Sequence, residues 1–529
     1  MNARSCIYAV LLLAFPVAMT LAEPPDPPAL PQPYAQHVKQ LVDEAAKVNA
    51  AGPYHPNWES LGRITEAPEW YRDAKFGIYF HWGVYSVPAF GNEWYPRKMH
   101  QKKLPEYTHH VEAYGDPTKF GYADFVSRFK ADKFDAEAWA ELFKQAGARF
   151  AGPVGEHHDG FAMWASKVTP WNAADKGPHR DIAGELEKAI RARGMRFVMS
   201  FHHARNNLWL KDGKWTGHYE FVKKDFPSLL NDPQRAILYG YMPREQFIDF
   251  WLAKLVEVID TYHPDLMWFD SWLHEIPEAA RQQYLAYYFN RSKQSGQDPV
   301  VTFKQKDLPQ DVALLDLEKG RMDKLTEFAW LTDDTISRGS WCYTQSLTIK
   351  PTSVVLHSLI DIVSKNGCLL LNISPMADGT IPENQRQVLL EIGRWLKLNG
   401  EAIYNTRPWK TYGGGPSSDK HEKGHFGGIA DPKGGYTPQD VRYTVSKDGK
   451  TLYAIALGWP TGPIQLPHVK VVDASGGRVT MIGHDGALKF SVNPMQHLVV
   501  TPPDLAESAR PCKDAVVFKL VGFSLDESD

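Results

Sequence analysis

Residues 266–272, which read LMWFDSW, decide the fold that this sequence predicts. Four apolar residues of high strand propensity come first, and the carboxylate of Asp270 follows them among aromatic rings. In a barrel of alternating strands and helices, the catalytic groups lie where the strands end. Asp270 is therefore a candidate nucleophile, although an aspartate at a strand end also commonly caps the following helix.

Similar apolar segments alternate with amphipathic helices along the chain. Strands are predicted at 76–81, 149–156, 196–201, 265–269, 300–303 and 368–373. Helices are predicted at 36–49, 135–146, 182–192, 245–262, 277–289, 352–363 and 384–398. Alternation of buried strands with helices indicates a parallel sheet, and at this length a closed (β/α)8-like TIM barrel. No glycine-rich nucleotide motif follows any predicted strand.

The pattern of predicted secondary structure changes after the last of these helices. Short segments at 441–446, 451–456, 469–472 and 497–501 are separated by turn signals such as KDGK and HDGA. This pattern predicts a C-terminal antiparallel β-sandwich. The predicted organisation is a signal peptide at 1–22, a Pro-rich linker with a short helix at 23–65, the barrel at 66–403 and the sandwich at 404–529.

The first residues have the features of a secretory signal peptide. Arg4 precedes an apolar run, and small residues near Ala22 form a cleavage site, so we expect a secreted or periplasmic protein. No later stretch has the 18 or more apolar residues of a membrane-spanning helix. Cys6 would leave with the leader, and the remaining Cys342, Cys368 and Cys512 lack disulfide-framework or zinc spacing, although one pair could still bridge.

Composition excludes some classes of function. Of the 529 residues, 43% are hydrophobic and 23% are charged, an ordinary globular balance with material for a large core. The formal net charge of -3 argues against a nucleic-acid partner. The 17 tryptophans either stack on sugar faces or fill a large barrel core, and composition alone favours the core.

Four polar clusters fall at predicted strand ends: FHWG with the following NEWY, EHHDGF, Asp270, and the run from Lys304 to Arg321. His157 and His158 could bind a metal with Asp159. However, adjacent side chains at a strand end point to opposite sides, so no metal or cofactor is predicted. Glu93 could instead form a salt bridge with Arg97, and Glu318 could belong to a solvated loop.

Taken in order, long motifs resemble the α-L-fucosidases of glycoside hydrolase family 29. They are AKFGIYFHWGVYSVPAFGNEWY, HHDGFAMWASK, GPHRDI, PDLMWFD, SWCY, and LLLNISPMADGTIP followed by GRWLKLNGEAIY. The resemblance covers residues 70–409. It implies a retaining exo-glycosidase that acts on terminal α-L-fucose, with Asp270 of the WxD motif as the nucleophile. The sugar-contacting positions of the family correspond here to His81, Glu93, Trp94, His157, His158 and Trp268, and Lys304 stands where many relatives carry Arg.

The acid/base residue departs from part of the family pattern. In some relatives a Glu follows the Trp that lies 11 positions before the SWxY tryptophan; Trp330 and Trp341 keep this spacing, but Leu331 occupies the Glu position. In other relatives the Glu comes from a loop beyond the nucleophile, and Glu318, 48 residues after Asp270, matches that placement. The candidates are, in order, Glu318, Glu93, and Asp333 or Asp334.

Three other functions stay open at this point. A non-catalytic glycan-binding protein on a glycosidase scaffold would explain Leu331. A related glycosidase such as an α-L-galactosidase would accept a sugar that differs by one hydroxyl. A metal-dependent hydrolase would use the His pair. The expected partner is a fucosylated oligosaccharide or glycoconjugate, no nucleic acid is expected, and a homo-oligomer is left open.

Overall fold

Eight parallel strands close into a barrel in the computed structural model, which describes residues 26–62, 66–418 and 420–526. The strands are β1 (Phe76–Phe80), β2 (Phe150–Glu156), β3 (Arg196–Phe201), β4 (Leu266–Phe269), β5 (Val300–Lys304), β6 (Leu314–Asp316), β7 (Trp330–Thr335) and β8 (Gly367–Ile373). Each pairs with the next along the chain, and β1 closes on β8. The predicted barrel is confirmed, whereas the predicted signal peptide at 1–22 lies outside the described residues.

Helices cover the outside of the barrel and fill its long loops. In the described part of the chain they are α1 (Tyr34–Ala51), α2 (Trp58–Leu61), α3 (Glu69–Ala74), α4 (Tyr95–Lys98), α5 (Pro105–Tyr114), α6 (Tyr122–Phe125), α7 (Ala136–Gln145), α8 (Ile182–Ala192), α9 (Glu220–Asp225), α10 (Pro233–Leu238), α11 (Arg244–Tyr262), α12 (Glu278–Ser295), α13 (Thr352–Ser364) and α14 (Glu383–Asn399). The first helix packs on α11 and α12. None of these helices combines the length and the apolar character needed to cross a bilayer.

Two barrel strands, β6 and β7, are absent from the sequence prediction. β6 has three residues, and β7 carries Thr332, Asp333 and Asp334, so neither shows the apolar run that identifies the other strands. The segments 305–313 and 317–329, which the structure describes in full, contain no helix. The loop that carries Glu318 is therefore a direct connection between two barrel strands.

Alternation along the strands sets which side chains reach the inside of the barrel. In β4, Leu266 and Trp268 belong to the cluster inside the barrel, whereas Met267 and Phe269 pack outward against the helices. Because strand side chains alternate, Asp270 continues the inward series at the carboxyl-terminal mouth. The same alternation brings the side chains that end the neighbouring strands to this mouth.

The C-terminal part is an antiparallel sandwich, as predicted. One sheet holds, in spatial order, Thr406–Arg407, Val441–Ser446, Thr451–Ala456, Val516–Val521 and Arg478–Met481, with Gly413–Gly414 beside the second strand. The other holds Phe490–Val492, His497–Val500, Ile464–Asp473 and Ser524–Leu525. Tyr443, Leu466 and Phe518 pack in the apolar core of the sandwich.

The cysteines of the described residues, Cys342, Cys368 and Cys512, are free thiols.

A hairpin of the C-terminal part, which we call the bridging hairpin, joins His421–Lys423 to Ile429–Pro432. It lies against the β6–β7 loop, where the N–H of Arg321 donates to the carbonyl of Ile429 at 3.0 Å and the N–H of Ile429 donates back at 2.9 Å. Arg321 also forms an ion pair with buried Asp361 of α13. The β6–β7 loop is therefore fixed to elements outside the barrel wall.

Two further two-stranded sheets are formed by Trp209–Lys211 with Lys214–Thr216, and by Ser337–Arg338 with Thr348–Ile349.

Candidate active site

A cavity of 210 Å³ opens at the carboxyl ends of the barrel strands. Eight of the nine predicted site residues line it: His81, Glu93, Trp94, His157, Trp268, Asp270, Lys304 and Glu318. The ninth, His158, lies behind the wall and contacts Asp270. Residues from five strands and the loops that follow them thus converge on one pocket.

Asp270 is held by one cation and two imidazoles. Its Oδ1 lies 3.2 Å from Nζ of Lys304, and its Oδ2 lies 3.2 Å from Nδ1 of His202 and 3.4 Å from Nε2 of His158. Burial raises the pKa of this carboxyl group, but Lys304 and the imidazoles outweigh burial and hold the pKa well below 3.8. Asp270 is therefore an ionised carboxylate, and its side chain remains 12% exposed to the cavity.

Lys304 connects Asp270 to a second carboxylate. Its Nζ donates to Oε2 of Glu318 at 2.8 Å and to Oδ2 of Asp333 at 3.4 Å. Burial lowers the pKa of Lys304, but Asp333, Asp270 and Glu318 raise it well above 10.5. The ammonium is therefore charged and lies between the two carboxyl groups predicted to be catalytic.

The position of Glu318 follows from these contacts. Since Oδ1 of Asp270 and Oε2 of Glu318 lie 3.2 and 2.8 Å from the same Nζ, they are at most 6.0 Å apart. Glu318 follows β6 by two residues, and its side chain is 18% exposed. The alternative that Glu318 belongs to a solvated loop is wrong, because the loop turns this side chain into the cavity.

The other acid/base candidates have different surroundings. Glu93 is buried and accepts the N–H of Trp341 at 3.1 Å, and burial raises its pKa. It does not pair with Arg97, which binds Glu220 instead. Asp334 pairs with Lys350 at 2.7 Å and does not line the cavity.

Asp333 lines the floor of the cavity at the top of the barrel interior. Tyr79 donates to Asp333 at 3.0 Å, and Asp316 accepts the N–H of Asp333 at 2.9 Å. Burial and the adjacent carboxylate raise the pKa of Asp316 well above 3.8, and the pKa of Asp333 is also raised. Asp316 accepts the indole N–H of Trp268 at 3.0 Å, and Asp333 accepts from Nζ of Lys304 at 3.4 Å, so this pair holds both side chains in place.

His81, His157 and His158 are neutral hydrogen-bonding groups. Nδ1 of His81 donates to Oδ1 of Asn372 at 2.8 Å, so Nε2 is left as the acceptor. Burial lowers the pKa of His81 and of His157 well below 6.5, and that of His158 to about 4. Neutral imidazoles can accept from or donate to sugar hydroxyls at neutral pH.

Two family models match the chain. One, described as Alpha-L-fucosidase, matches residues 41–401, and the other, described as Alpha-L-fucosidase C-terminal domain, matches residues 436–521. The chain belongs to the alpha-L-fucosidase family. It is therefore a glycoside hydrolase of the class that the motifs predict. Residues 402–435, which include the bridging hairpin, lie between the two matches.

Relatives and solved structures agree with this membership. The human tissue alpha-L-fucosidase is 32% identical over 501 residues, covering 91% of this chain and 95% of that protein. The crystal structure of a Thermotoga maritima alpha-fucosidase gives a TM-score of 0.69 at 30% identity and covers 88% of this chain and 100% of that chain. Its complex with a mechanism-based inhibitor gives 0.69 at 29% identity, with 89% and 100% covered.

His157 and His158 both follow β2, which ends at Glu156, and they face different neighbours. His157 lines the cavity, whereas His158 lies behind it and contacts Asp270. Asp159 accepts a hydrogen bond from Tyr122 elsewhere. Among the described residues, two groups present ligand atoms within 4.8 Å of one another: His81, His157 and His202, and His158, His202 and Asp270.

Sequence reasoning gave no role to Ser271, Trp272 and Trp341, which line the pocket together with His202 and the third acid/base candidate, Asp333. His202 follows β3 as Asp270 follows β4, so the same strand-end signal identifies it. Trp341 belongs to the SWCY motif, and its position over the site depends on the long loop after β7. Leu331, at the position where some relatives carry Glu, is fully buried inside the barrel and does not reach the cavity.

Proposed function

We propose that this protein is a retaining exo-α-L-fucosidase, with Asp270 as the nucleophile and Glu318 as the acid/base. The observation that carries the proposal is the separation of at most 6.0 Å between their oxygens, set by shared contacts with Lys304. Retaining glycosidases have carboxyl groups about 5–5.5 Å apart, whereas inverting enzymes need about 6.5–9.5 Å for an intervening water. The geometry supports double displacement.

In the first step, a carboxylate oxygen of Asp270 attacks the anomeric carbon while Glu318 protonates the glycosidic oxygen. The bond to the aglycone breaks, and a β-fucosyl ester of Asp270 forms. In the second step, Glu318 takes a proton from water, and the hydroxide oxygen attacks the anomeric carbon. The ester breaks, Asp270 leaves as a carboxylate, and α-L-fucose is released.

Lys304 fits both steps of this cycle. Before the first step its ammonium stabilises the ionised form of Asp270 that must attack. Formation of the ester removes the charge of Asp270, so the ammonium is then left with Glu318 on this side of the pocket. A carboxylate on Glu318 is the form that accepts the proton of water in the second step.

The pocket walls suit one terminal fucose. Neutral His81 and His157 offer nitrogen atoms for hydroxyl groups, while Trp94 and Trp268 present aromatic surface for the C5 methyl side. The volume of 210 Å³ and the position at the mouth of the barrel support exo action on a chain end. The Thermotoga maritima relative solved with a mechanism-based inhibitor supports covalent chemistry in this family.

Hydrolysis of an aryl α-L-fucoside by the wild type and by D270A, E318A and E93A, each with and without azide, tests the proposal. We expect loss of activity in D270A, with azide giving β-fucosyl azide, because azide replaces the missing nucleophile on the same face. We expect E318A to give α-fucosyl azide, because azide then intercepts the covalent ester. A matching α-azide from E93A would assign the acid/base role to Glu93.

The same assays separate the other functions. Fucose binding without turnover in the wild type would support a non-catalytic glycan-binding protein, for which only Leu331 argues. Loss of wild-type activity in a chelator would support metal-dependent hydrolysis through the histidine groups. Turnover of an α-L-galactoside is expected as a weak side activity, since an apolar pocket rejects an added hydroxyl by only about 10²-fold.

We further propose that the protein acts outside the cytoplasm on fucosylated oligosaccharides or glycoconjugates. The apolar leader of the first 22 residues supports this location. Mass spectrometry of the N-terminus after expression with the full leader tests it. Cleavage near Ala22 is expected, and an intact leader on the active protein would contradict the proposal.

A further inference from the structure

A second cavity of 310 Å³ lies beside the active site. Trp272 lines both cavities, so they share one aromatic wall. The other walls come from residues after β3, from the start of α11 and from the short strand pair Trp209–Lys211 and Lys214–Thr216, which we call the tryptophan hairpin. The volume falls at the lower end of small-ligand pockets, about 300–1,000 Å³.

The tryptophan hairpin has a defined backbone. Asp212 and Gly213 both have positive φ, at 51° and 74°, which is typical of the Asp-Gly type I′ turn of a two-residue hairpin. At its base, a Cβ on Gly217 would lie 1.6 Å from the carbonyl oxygen of Asn207. Only glycine permits this close approach, which holds the hairpin against the residues that follow β3.

Three tryptophans differ from the rest of the molecule. Of the 17 in the chain, 14 belong to or pack against hydrophobic clusters, and the exceptions are Trp94, Trp209 and Trp272. All three are only partly buried, and each lines one or both of the two cavities. Most tryptophans therefore pack in hydrophobic clusters, as composition favours, but these three lie outside the clusters and line the adjoining cavities.

The wall of the second cavity also carries hydrogen-bonding groups without protein partners. The guanidinium carbon of Arg205 lies 3.7 Å from the ring centre of Trp272, and among the described residues this guanidinium has neither a hydrogen bond nor an ion pair. Nδ2 of buried Asn207 and Oε2 of Glu220 likewise have no hydrogen-bond partner in the part of the chain described. Arg205 and Arg244 balance Glu220 and Glu275, so the lining is formally neutral.

We propose that this cavity binds the sugar unit to which the terminal fucose is linked. Trp209 would stack on a face of that pyranose ring, and Arg205 would donate to its hydroxyl groups. A neutral hexopyranose fits best, because the lining combines aromatic surface and hydrogen-bonding groups without net charge. The inference rests on the proposed fucosidase activity and names the part of the substrate that selects among fucosylated glycans.

The test compares two substrates that differ in what the second cavity can hold. α-L-Fucosyl fluoride occupies only the fucose pocket, whereas fucosyl disaccharides linked to galactose or N-acetylglucosamine also reach the second cavity. We expect W209A to lower kcat/KM for the best disaccharide by about 10-fold, since one aromatic stacking contact is lost. Its kcat/KM for the fluoride should stay within about 2-fold of the wild type.

L210A is the matched control. Leu210 is the next residue on the same strand, is 55% exposed and does not line the cavity. The kcat/KM values of L210A for the fluoride and for the disaccharide should both match those of the wild type. W209F, which keeps a ring, should recover most of the disaccharide rate and shows that any loss in W209A is not a folding defect. An R205A variant should lower the disaccharide rate in the same selective way.

The outcomes distinguish this inference from the proposed function. If the wild type fails to hydrolyse the fluoride, the fucosidase proposal itself is wrong. If the wild type hydrolyses both substrates but W209A and R205A leave the ratio of their rates unchanged, the second cavity does not bind the linked sugar. An equal fall for both substrates also overturns the inference, because it would place these residues in the fucose pocket or in the fold.

Discussion

The two sides of the active site are built in different ways. On the side of the proposed nucleophile, Asp270 ends a barrel strand and contacts side chains from β5 and from the ends of β2 and β3. On the side of the proposed acid/base, Glu318 belongs to a strand-to-strand loop, which is held by Lys304 from inside and by the bridging hairpin from outside. One carboxylate is thus held by the barrel framework, and the other by loops.

This difference matches the demands of the chemistry. A nucleophile must be aligned with the anomeric carbon, and the alternation of a strand fixes its direction. A general acid needs only to reach the leaving oxygen within hydrogen-bond distance. A loop suffices for that, whereas the direction of the proposed nucleophile is set by the strand that it ends.

The largest effect should come from removing each carboxylate. D270A should lower kcat by about 10⁴-fold or more for every fucoside, because no leaving group compensates for a lost nucleophile. E318A should lower the disaccharide rate by about 10²–10⁴-fold but the fluoride rate much less when azide is present, because fluoride leaves without a proton. Steady-state rates on both substrates measure this.

D270N and E318Q serve as controls that keep the size of each side chain. They should reproduce the pattern of D270A and E318A. If the loss in E318A were the same for fluoride and disaccharide, Glu318 would support the fold of the pocket rather than transfer a proton, and the contrast between the two sides would disappear.

Lys304 contacts both Asp270 and Glu318, so its replacement should affect both carboxylates. K304M should lower kcat/KM by about 10²-fold, in the range seen when one electrostatic stabiliser of a transition state is lost. Because the charge of Lys304 lowers the pKa of Asp270, its loss should raise that pKa, and the acid limb of the pH profile should also move to higher pH. A profile of kcat/KM from acid to neutral pH measures both changes.

K304R is the matched control, since it keeps the charge and restores the residue that many relatives carry. The acid limb of its kcat/KM profile should coincide with that of the wild type even if kcat/KM itself falls. An unchanged acid limb in K304M would show that the histidines, and not Lys304, keep Asp270 ionised.

The pocket histidines predict a pH dependence of stability on the nucleophile side. The folded-state pKa of His158 is about 4, below its ordinary value of 6.5, so the unfolded chain binds more protons between these values. The free energy of unfolding should therefore fall as pH is lowered from 6.5 towards 4, by about 1.4 kcal/mol for each unit of pKa difference. Denaturant unfolding at several pH values measures the slope.

H158Q should flatten that slope, because it removes one group that is neutral only in the folded state. L210A is the control: Leu210 is 55% exposed and carries no titratable group, so its replacement should leave the slope unchanged. Equal slopes in the wild type and H158Q would assign the acid sensitivity to other groups, such as His81 and His157.

The two sides also differed in how far sequence predicted them. The run before Asp270 is apolar, so the strand and the inward direction of its aspartate follow from period-two alternation. β6 and β7 carry polar residues or are too short to show that signal, and the loop that turns Glu318 inward depends on tertiary contacts with Arg321. The second cavity was not predicted, because the tryptophan hairpin meets Trp272 only in the folded chain.

The smallest effect should come from the bridging hairpin itself. Nδ1 of His425 lies 3.7 Å from Oε1 of Glu318, and solvent screens the contact because His425 is exposed. H425A should therefore lower the disaccharide rate by only about 2- to 5-fold, the equivalent of an exposed ion pair. K423A, at an exposed position on the same hairpin, is the control and should match the wild type. A far larger loss in H425A would mean that the segment between the two family matches aligns Glu318 as firmly as the barrel aligns Asp270, and the division between a framework-held nucleophile and a loop-held acid would fail.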